Sequence, residues 1–201
     1  MSEREIVENI LTRLDKGMKI EDVMESPQTE FEDGELISID LADLALTEIP
    51  EDLFLEYPSI KRIHLSFNKL ADLPENIFEG LEDLEFINLY GNEFIRLPDD
   101  IFEDLDNLEW LDLRSNKLEA IPKSVGLCDG LNYLFLQNNP LGDHPEHNWA
   151  ADYHSQRDIR KFMPEFQEAM GLEVTMEKPL TREERAARAK KRREERQKKN
   201  N

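Results

Sequence analysis

The sequence predicts an α/β solenoid of stacked repeats, and two features of the chain support this prediction. Six-residue segments with the pattern apolar-x-x-apolar-x-apolar recur every 24 residues from positions 36, 60, 84 and 108, and a fifth follows 23 residues later at position 131. An asparagine and then a proline follow most of these segments at constant spacing. Self-similarity at a period of roughly 20–50 residues is typical of stacked repeats. Such repeats form one long exposed surface, which favours binding over catalysis.

The first part of each repeat is predicted to be a short strand with one buried face, because apolar and polar positions alternate. In the second repeat, Ile63 and Leu65 flank His64 in this way. An asparagine three residues after the strand can bond backbone groups through its amide. We therefore expect a ladder of asparagines at the turns that leave the strands, made of Asn68, Asn92, Asn116 and Asn139.

A proline such as Pro74 then ends strand pairing and begins a return leg. The return legs carry inward apolar residues, which we expect on short helical turns. In three repeats these residues are Ile77, Phe78 and Leu81; Ile101, Phe102 and Leu105; and Leu53, Phe54 and Tyr57.

This pattern resembles the leucine-rich repeat family, specifically its 24-residue class with an inward phenylalanine on the return leg. The resemblance covers residues 36–145 as five units. It implies a curved solenoid with a parallel sheet on the concave side. The first unit has Leu44 where the ladder asparagine belongs, and the fourth has Gly126 instead of phenylalanine. The fifth has His144 before Pro145, where we expect the stack to end.

The flanking segments are expected to cap both ends of the solenoid. We divide the chain into an N-terminal helical cap and linker (1–35), the repeats (36–145), a C-terminal helical cap (146–180) and a basic charged tail (181–201). Residues 3–14 place five apolar side chains on one helical face, with partner binding as the alternative to capping. A second short helix is expected over 20–24, followed by a linker over 26–29.

The charge of the chain is divided unevenly. The net charge is −20, but residues 181–201 hold ten basic and four acidic residues, so residues 1–180 carry 15 basic and 41 acidic residues, a net of −26. The tail is either a solvated extension or a contact for a polyanion, an acidic protein or an anionic surface. Its candidate contact residues are Arg188, Lys190, Lys191, Arg192 and Arg193.

No sequence motif indicates catalysis or a cofactor. The segment 143–154 holds acidic residues and histidines, but without a recognised metal-ligand spacing. We expect no metal and no cofactor. Cys128 is the single cysteine and is expected to be packed, which excludes internal disulfides and favours a reducing compartment. With neither a signal peptide nor a membrane span predicted, the expected location is cytoplasmic, with the nucleus as an alternative.

The candidate binding site is the outward face of the predicted strands, where aromatic residues stand at positions that are normally polar. An exposed aromatic cluster beside charged groups is typical of a protein-binding hot spot. The alternative is that these side chains stabilise the sheet or are covered by the C-terminal flank. The candidate residues are Arg62, His64, Phe86, Tyr90, Trp110, Asp112, Arg114, Tyr133 and Phe135.

The sequence thus predicts a non-enzymatic protein-interaction module, monomeric on its own, with the tail as a second contact. The first alternative is a structural adaptor associated with nucleic acid or ribonucleoprotein and anchored by the tail. A weaker alternative places enzyme chemistry in segment 143–154. The acidic return legs are expected to be a solvated face, or a docking site for a basic partner or for the tail.

Overall fold

The computed structural model describes residues 1–14, 19–128 and 130–141. Within these ranges, two α-helices precede six short strands, and one 3₁₀ helix lies on the return leg of the fourth repeat. In chain order these elements are α1 (Glu3–Arg13), α2 (Ile20–Met24), β1 (Glu30–Glu32), β2 (Glu35–Asp40), β3 (Arg62–His64), β4 (Phe86–Asn88), β5 (Trp110–Asp112), the 3₁₀ helix (Lys123–Leu127) and β6 (Tyr133–Phe135).

All six strands form one sheet in chain order, and β2 to β6 are parallel. Each of these five strands comes from one repeat, which confirms the predicted solenoid. The five parallel strands pair without any shift of register, because each repeat contributes the same three positions. The central positions form one fully buried row: Ile39, Ile63, Ile87, Leu111 and Leu134.

The predicted asparagine ladder is present and joins successive repeats. Asn92 donates from Nδ2 to the carbonyl oxygens of Leu65 (2.9 Å) and Leu89 (3.1 Å), and its Oδ1 accepts the N–H of Leu70 at 3.1 Å. Asn68, Asn116 and Asn139 make the same kinds of bond in their own repeats. Buried backbone groups at each turn therefore have partners from the neighbouring repeat.

The return legs were expected to contain short helical turns, but most are successive hydrogen-bonded turns. In the second repeat, for example, the N–H of Ile77 bonds the carbonyl of Pro74 (3.1 Å) and the N–H of Leu81 bonds that of Phe78 (3.2 Å). Only the fourth repeat forms a 3₁₀ helix in the described residues. The inward side chains are buried as predicted, and the rings of Phe78 and Phe102 stack with centroids 6.0 Å apart.

Two helices lie where the N-terminal cap was predicted. A capping box begins α1: the Oγ of Ser2 accepts the N–H of Glu5 (3.3 Å), and the Glu5 carboxylate accepts the N–H of Ser2 (2.7 Å). The apolar face of α1 is buried, and α1 contacts α2 and β2. Polar bonds fix it against the first return leg, including Asn9 Nδ2 to the hydroxyl of Tyr57 at 2.9 Å.

Sequence reasoning missed β1, since only a linker was expected before β2. This strand pairs antiparallel with β2 through a two-residue turn at Asp33 and Gly34, whose φ angles are 52° and 82°. Asp-Gly is favoured in such turns because both residues need positive φ. Glu30 and Glu32 put charge on the outermost strand, which disfavours pairing with another sheet edge.

The expected C-terminal cap (146–180), the basic tail (181–201) and segment 143–154 lie outside the described residues. So does the expected end of the repeats at Pro145. Within the ranges 1–14, 19–128 and 130–141, no helix has the length and apolar character of a membrane span.

Candidate functional site

The parallel register brings most of the candidate residues together on the concave side of the sheet. Because identical strand positions align, Arg62, Phe86, Trp110 and Tyr133 lie side by side across β3 to β6. Ser38 holds the same position in β2, but its side chain is fully buried and donates from Oγ to the carbonyl oxygen of Gln28 at 2.5 Å. Gln28, which precedes β1, thus covers this position of β2.

The rings on this face form a continuous series of contacts, which we call the aromatic strip: His64, Phe86, Trp110, Tyr133 and Phe135. Phe86 and Trp110 are stacked with an interplanar angle of 23°, and the other pairs are tilted by 33° to 42°. Ring centroids are 4.8 Å apart for His64 and Phe86, 5.7 Å for Phe86 and Trp110, and 4.9 Å for Trp110 and Tyr133. Trp110 also lies 4.7 Å from Phe135. These separations match the spacing of neighbouring strands, about 4.8 Å, so each ring packs on the next.

Contacts between neighbouring rings reduce the exposure that is expected for side chains at outward strand positions. Tyr133 is 40% exposed and Phe86 and Trp110 are half-buried, whereas Phe135 is only 7% exposed. His64 and Asp112 are also buried. The surface is therefore a packed layer, and not a set of freely exposed rings.

Arg114 is held in a fixed position beside the aromatic strip. Its Nε and Nη2 bond the two carboxylate oxygens of Asp112 at 3.0 and 2.6 Å, a bidentate arrangement. The guanidinium lies 4.8 Å from the ring centroid of Phe135 and 5.5 Å from that of Tyr90. This combination places a cation between two rings and next to a buried carboxylate.

The end of the concave face nearest the N-terminus is polar. Arg62 pairs with Glu30 of the hairpin at 2.5 Å, and the Asp40 carboxylate accepts a bond from Ser26 at 2.5 Å. Between these groups, burial lowers the pKa of His64 below its usual value, and the neighbouring Arg62 acts in the same direction. The carboxylates of Asp40 and Glu30 partly oppose this effect. His64 is therefore favoured as a neutral imidazole.

Sequence reasoning also missed Phe67, which lies in the turn after β3. Its side chain is 59% exposed, and its ring stands edge-on to that of Tyr90 with centroids 4.8 Å apart. The sequence could have indicated that Phe67 is unusual, because the matching positions in other repeats hold small or polar residues: Asp43, Gly91, Ser115 and Asn138.

No metal centre was expected, and among residues 1–14, 19–128 and 130–141 no cluster of three or more His, Cys, Asp or Glu side chains is arranged to hold a metal. Cys128 is buried, with Sγ 3.5 Å from the carbonyl oxygen of Phe102 and 3.4 Å from that of Ser124. Its environment is that of a packed core residue.

Several solved structures are similar in fold to this chain. The structure of a pollen receptor kinase 3 is 28% identical with a TM-score of 0.50, and the match covers 58% of this chain and 61% of that one. The ectodomain of the receptor kinase SOBIR1 from Arabidopsis thaliana is 22% identical with a TM-score of 0.54, covering 69% and 82% of the two chains. At that identity the likeness concerns the fold alone.

A chain of the LRIM1/APL1C complex is 28% identical with a TM-score of 0.50, covering 52% of this chain and 20% of that one. This chain thus spans less than two thirds of the pollen receptor kinase structure and about a fifth of the LRIM1/APL1C chain. No curated protein sequence matches it.

The family model described as leucine rich repeat matches residues 35–94 and 91–141. Together these matches span more than half of the 201 residues, and they coincide with strands β2 to β6 and the asparagine ladder. The chain belongs to the leucine-rich repeat family.

Proposed function

We propose that this protein is a non-enzymatic interaction module that binds a protein partner through the aromatic strip. The observation that supports this proposal is the continuous series of ring contacts on the concave side of the sheet, in which Phe86, Trp110 and Tyr133 reach the surface. The buried face of the sheet already has its own complete apolar core, so the fold does not require a second aromatic layer. Aromatic side chains on a solvent face are most useful where another protein covers them.

The packed arrangement suits binding because it is already ordered. Each ring contacts at least one other ring of the strip, so little side-chain freedom is lost when a partner arrives. Large rings also supply much apolar contact area at a low entropy cost. We therefore expect Trp110, at the centre of the strip, to contribute most to the affinity.

Arg114 and Asp112 give the same surface polar specificity. Their bidentate pair is rigid and lies against Phe135, so the position of the guanidinium is fixed before a partner binds. A partner that matches this geometry is favoured over one that does not.

The central experiment replaces Trp110 and Tyr133 by alanine together and measures capture of binding proteins by quantitative affinity purification. We expect the double variant to lose the proteins that the full chain retains, with only a small fall in Tm. The matched control is Leu55→Ala, which removes an apolar side chain that is 58% exposed on a return leg and should leave capture unchanged. Unchanged capture by a folded double variant would contradict the proposal. A large fall in Tm would show that the strip stabilises the sheet instead.

The basic tail is proposed as a second contact, acting through charge. Its net +6 contrasts with the −26 of residues 1–180. Surface charges are screened over about 8 Å at physiological salt, so a tail-dependent interaction should weaken as salt rises. A chain truncated after residue 180 should keep its Tm and lose salt-sensitive binding.

The truncation also tests the alternative function, an adaptor for nucleic acid or ribonucleoprotein. That alternative requires RNA or DNA to be retained by the full chain and lost from the truncated chain, with a linear dependence of log affinity on log salt. Retention of proteins alone, after nuclease treatment, favours the interaction module. We further propose an intracellular location, supported by the single cysteine, and a monomeric state; cell fractionation and sedimentation test these two points.

A further inference from the structure

A row of left-handed backbone positions runs along the edge of the concave face, just after the parallel strands. One residue of each repeat takes part, and the N–H of one member bonds a carbonyl in the next repeat, as for Phe67 with Tyr90 at 2.8 Å. The five members have φ between 53° and 70°: Asp43, Phe67, Gly91, Ser115 and Asn138.

Phe67 is the exception in this row. Glycine, asparagine and aspartate tolerate the left-handed region, whereas a bulky side chain there is an outlier that costs stability. The Phe67 side chain does not recover this cost by burial, since it is 59% exposed. Neither the backbone conformation nor the core explains a phenylalanine here, and strained residues of this kind cluster at functional sites.

The surrounding residues hold the Phe67 ring at a defined place. Tyr90 supports its edge at 4.8 Å with an interplanar angle of 80°. Gly91 leaves room for it, because a Cβ on Gly91 would lie 3.3 Å from Phe67 Cδ1. The preceding strand residue, Ser66, is buried, and the following Asn68 is tied into the ladder. The Phe67 ring is thus a preorganised apolar projection at the edge of the concave face, which we call the rim.

Charge indicates what kind of surface would cover this ring. Asp43, which is exposed, occupies the adjacent place in the row, about 4.8 Å away across one parallel strand pair. Residues 30–141 hold 26 acidic and 7 basic residues, a net of −19. An acidic partner would be repelled by this domain, and a basic one attracted.

We propose that Phe67 is an anchor for an extended basic segment of a protein partner. An apolar side chain of that segment packs on Phe67 and Tyr90, and a lysine or arginine beside it pairs with Asp43. From the rim the segment continues over the aromatic strip. This inference rests on the proposed interaction function and adds the chemical class of the partner.

The test uses the full chain and a phage library of random peptides of about 12 residues. Such a peptide extends about 40 Å, more than the roughly 24 Å width of five strands. We expect selected peptides to be enriched in lysine and arginine with one large apolar residue. Phe67→Asn should weaken their binding by about tenfold or more while raising Tm by about 2–4 °C, because asparagine relieves the backbone cost. A loss of binding in a more stable variant cannot come from misfolding.

Two further variants separate the contribution of the Asp43 charge from that of the Phe67 ring. Asp43→Asn should lower the affinity and make it less sensitive to salt. Leu55→Asn is the control: its side chain is 58% exposed, close to the value for Phe67, and its binding should equal that of the unaltered chain. Selected peptides that are not basic, an unchanged affinity for Phe67→Asn, or the absence of any selected peptide would overturn the proposal.

The outcomes also distinguish this inference from the proposed function. Peptides that lose binding with Phe67→Asn but keep it with the Trp110 and Tyr133 double variant would support the rim anchor and contradict the central role of the aromatic strip. The reverse result would support the strip and overturn the anchor.

Discussion

The side-chain amide of Asn92 lies 2.9 Å from the carbonyl oxygen of Leu65, a residue 27 positions earlier in the chain. This bond joins two repeats at a turn, where the same carbonyl oxygen also accepts a bond from Asn68 at 2.9 Å. The same relationship recurs from Asn68 to Leu41, from Asn116 to Leu89 and from Asn139 to Leu113.

Replacing Asn92 by alanine should destabilise the fold by about 1–3 kcal/mol, because the buried N–H of Leu70 loses its acceptor. The carbonyl oxygens of Leu65 and Leu89 each lose one of two donors. Asn139→Ala is the matched comparison, since Asn139 makes the same bonds but is less buried. Urea denaturation followed by circular dichroism measures both changes. Equal stability of Asn92→Ala and the unaltered chain would show that the ladder is not structural.

The presence of His64 should make the folded state less stable below neutral pH. Burial lowers its pKa in the folded state, so the unfolded chain binds a proton first as the pH falls below about 6.5. The stability associated with neutral His64 is therefore complete above that pH and is lost as the pH falls through it. Comparison of Tm for the unaltered chain and His64→Gln between about pH 8 and 5.5 checks this. Parallel curves for the two proteins would contradict it.

The N-terminal helices should be required for solubility. Deleting residues 1–25 uncovers the buried side chains of Leu36, Ile39 and Leu41 at the open end of the solenoid. We expect aggregation or partial unfolding, measured by size-exclusion chromatography and circular dichroism. A charge-only control, Arg4→Ala, should behave like the full chain. A monomeric deletion with full stability would assign α1 to partner binding.

Gly130→Ala should disturb the packing of the last described repeat against the one before it. A Cβ at this position would lie 2.7 Å from the carbonyl oxygen of Asp106 and 3.3 Å from that of Leu108. Both contacts are backbone, so the repeats must shift, at a cost of about 1–3 kcal/mol. The control Gly34→Asn has open space around it and a residue that tolerates positive φ, so its effect on Tm should be smaller. Equal Tm values for the two variants would contradict this prediction.

Candidate-site residues were predictable wherever the strand register alone places them. Phe86, Trp110 and Tyr133 share one strand position at a constant period, so their alignment followed from spacing. Phe67 was overlooked because strand alternation does not describe the turns between elements.

The sequence by itself determined the repeat architecture, the buried row of the sheet and the asparagine ladder. These features depend on the spacing of residues within one repeat, and the same spacing recurs in each repeat. Only the tertiary structure decided how much of each outward residue remains at the surface. Phe135 is buried because Trp110 and Arg114 lie against it, and Ser38 is covered because β1 folds back on β2. Such contacts join residues that are far apart in the chain, so they cannot be predicted from the local pattern of apolar residues.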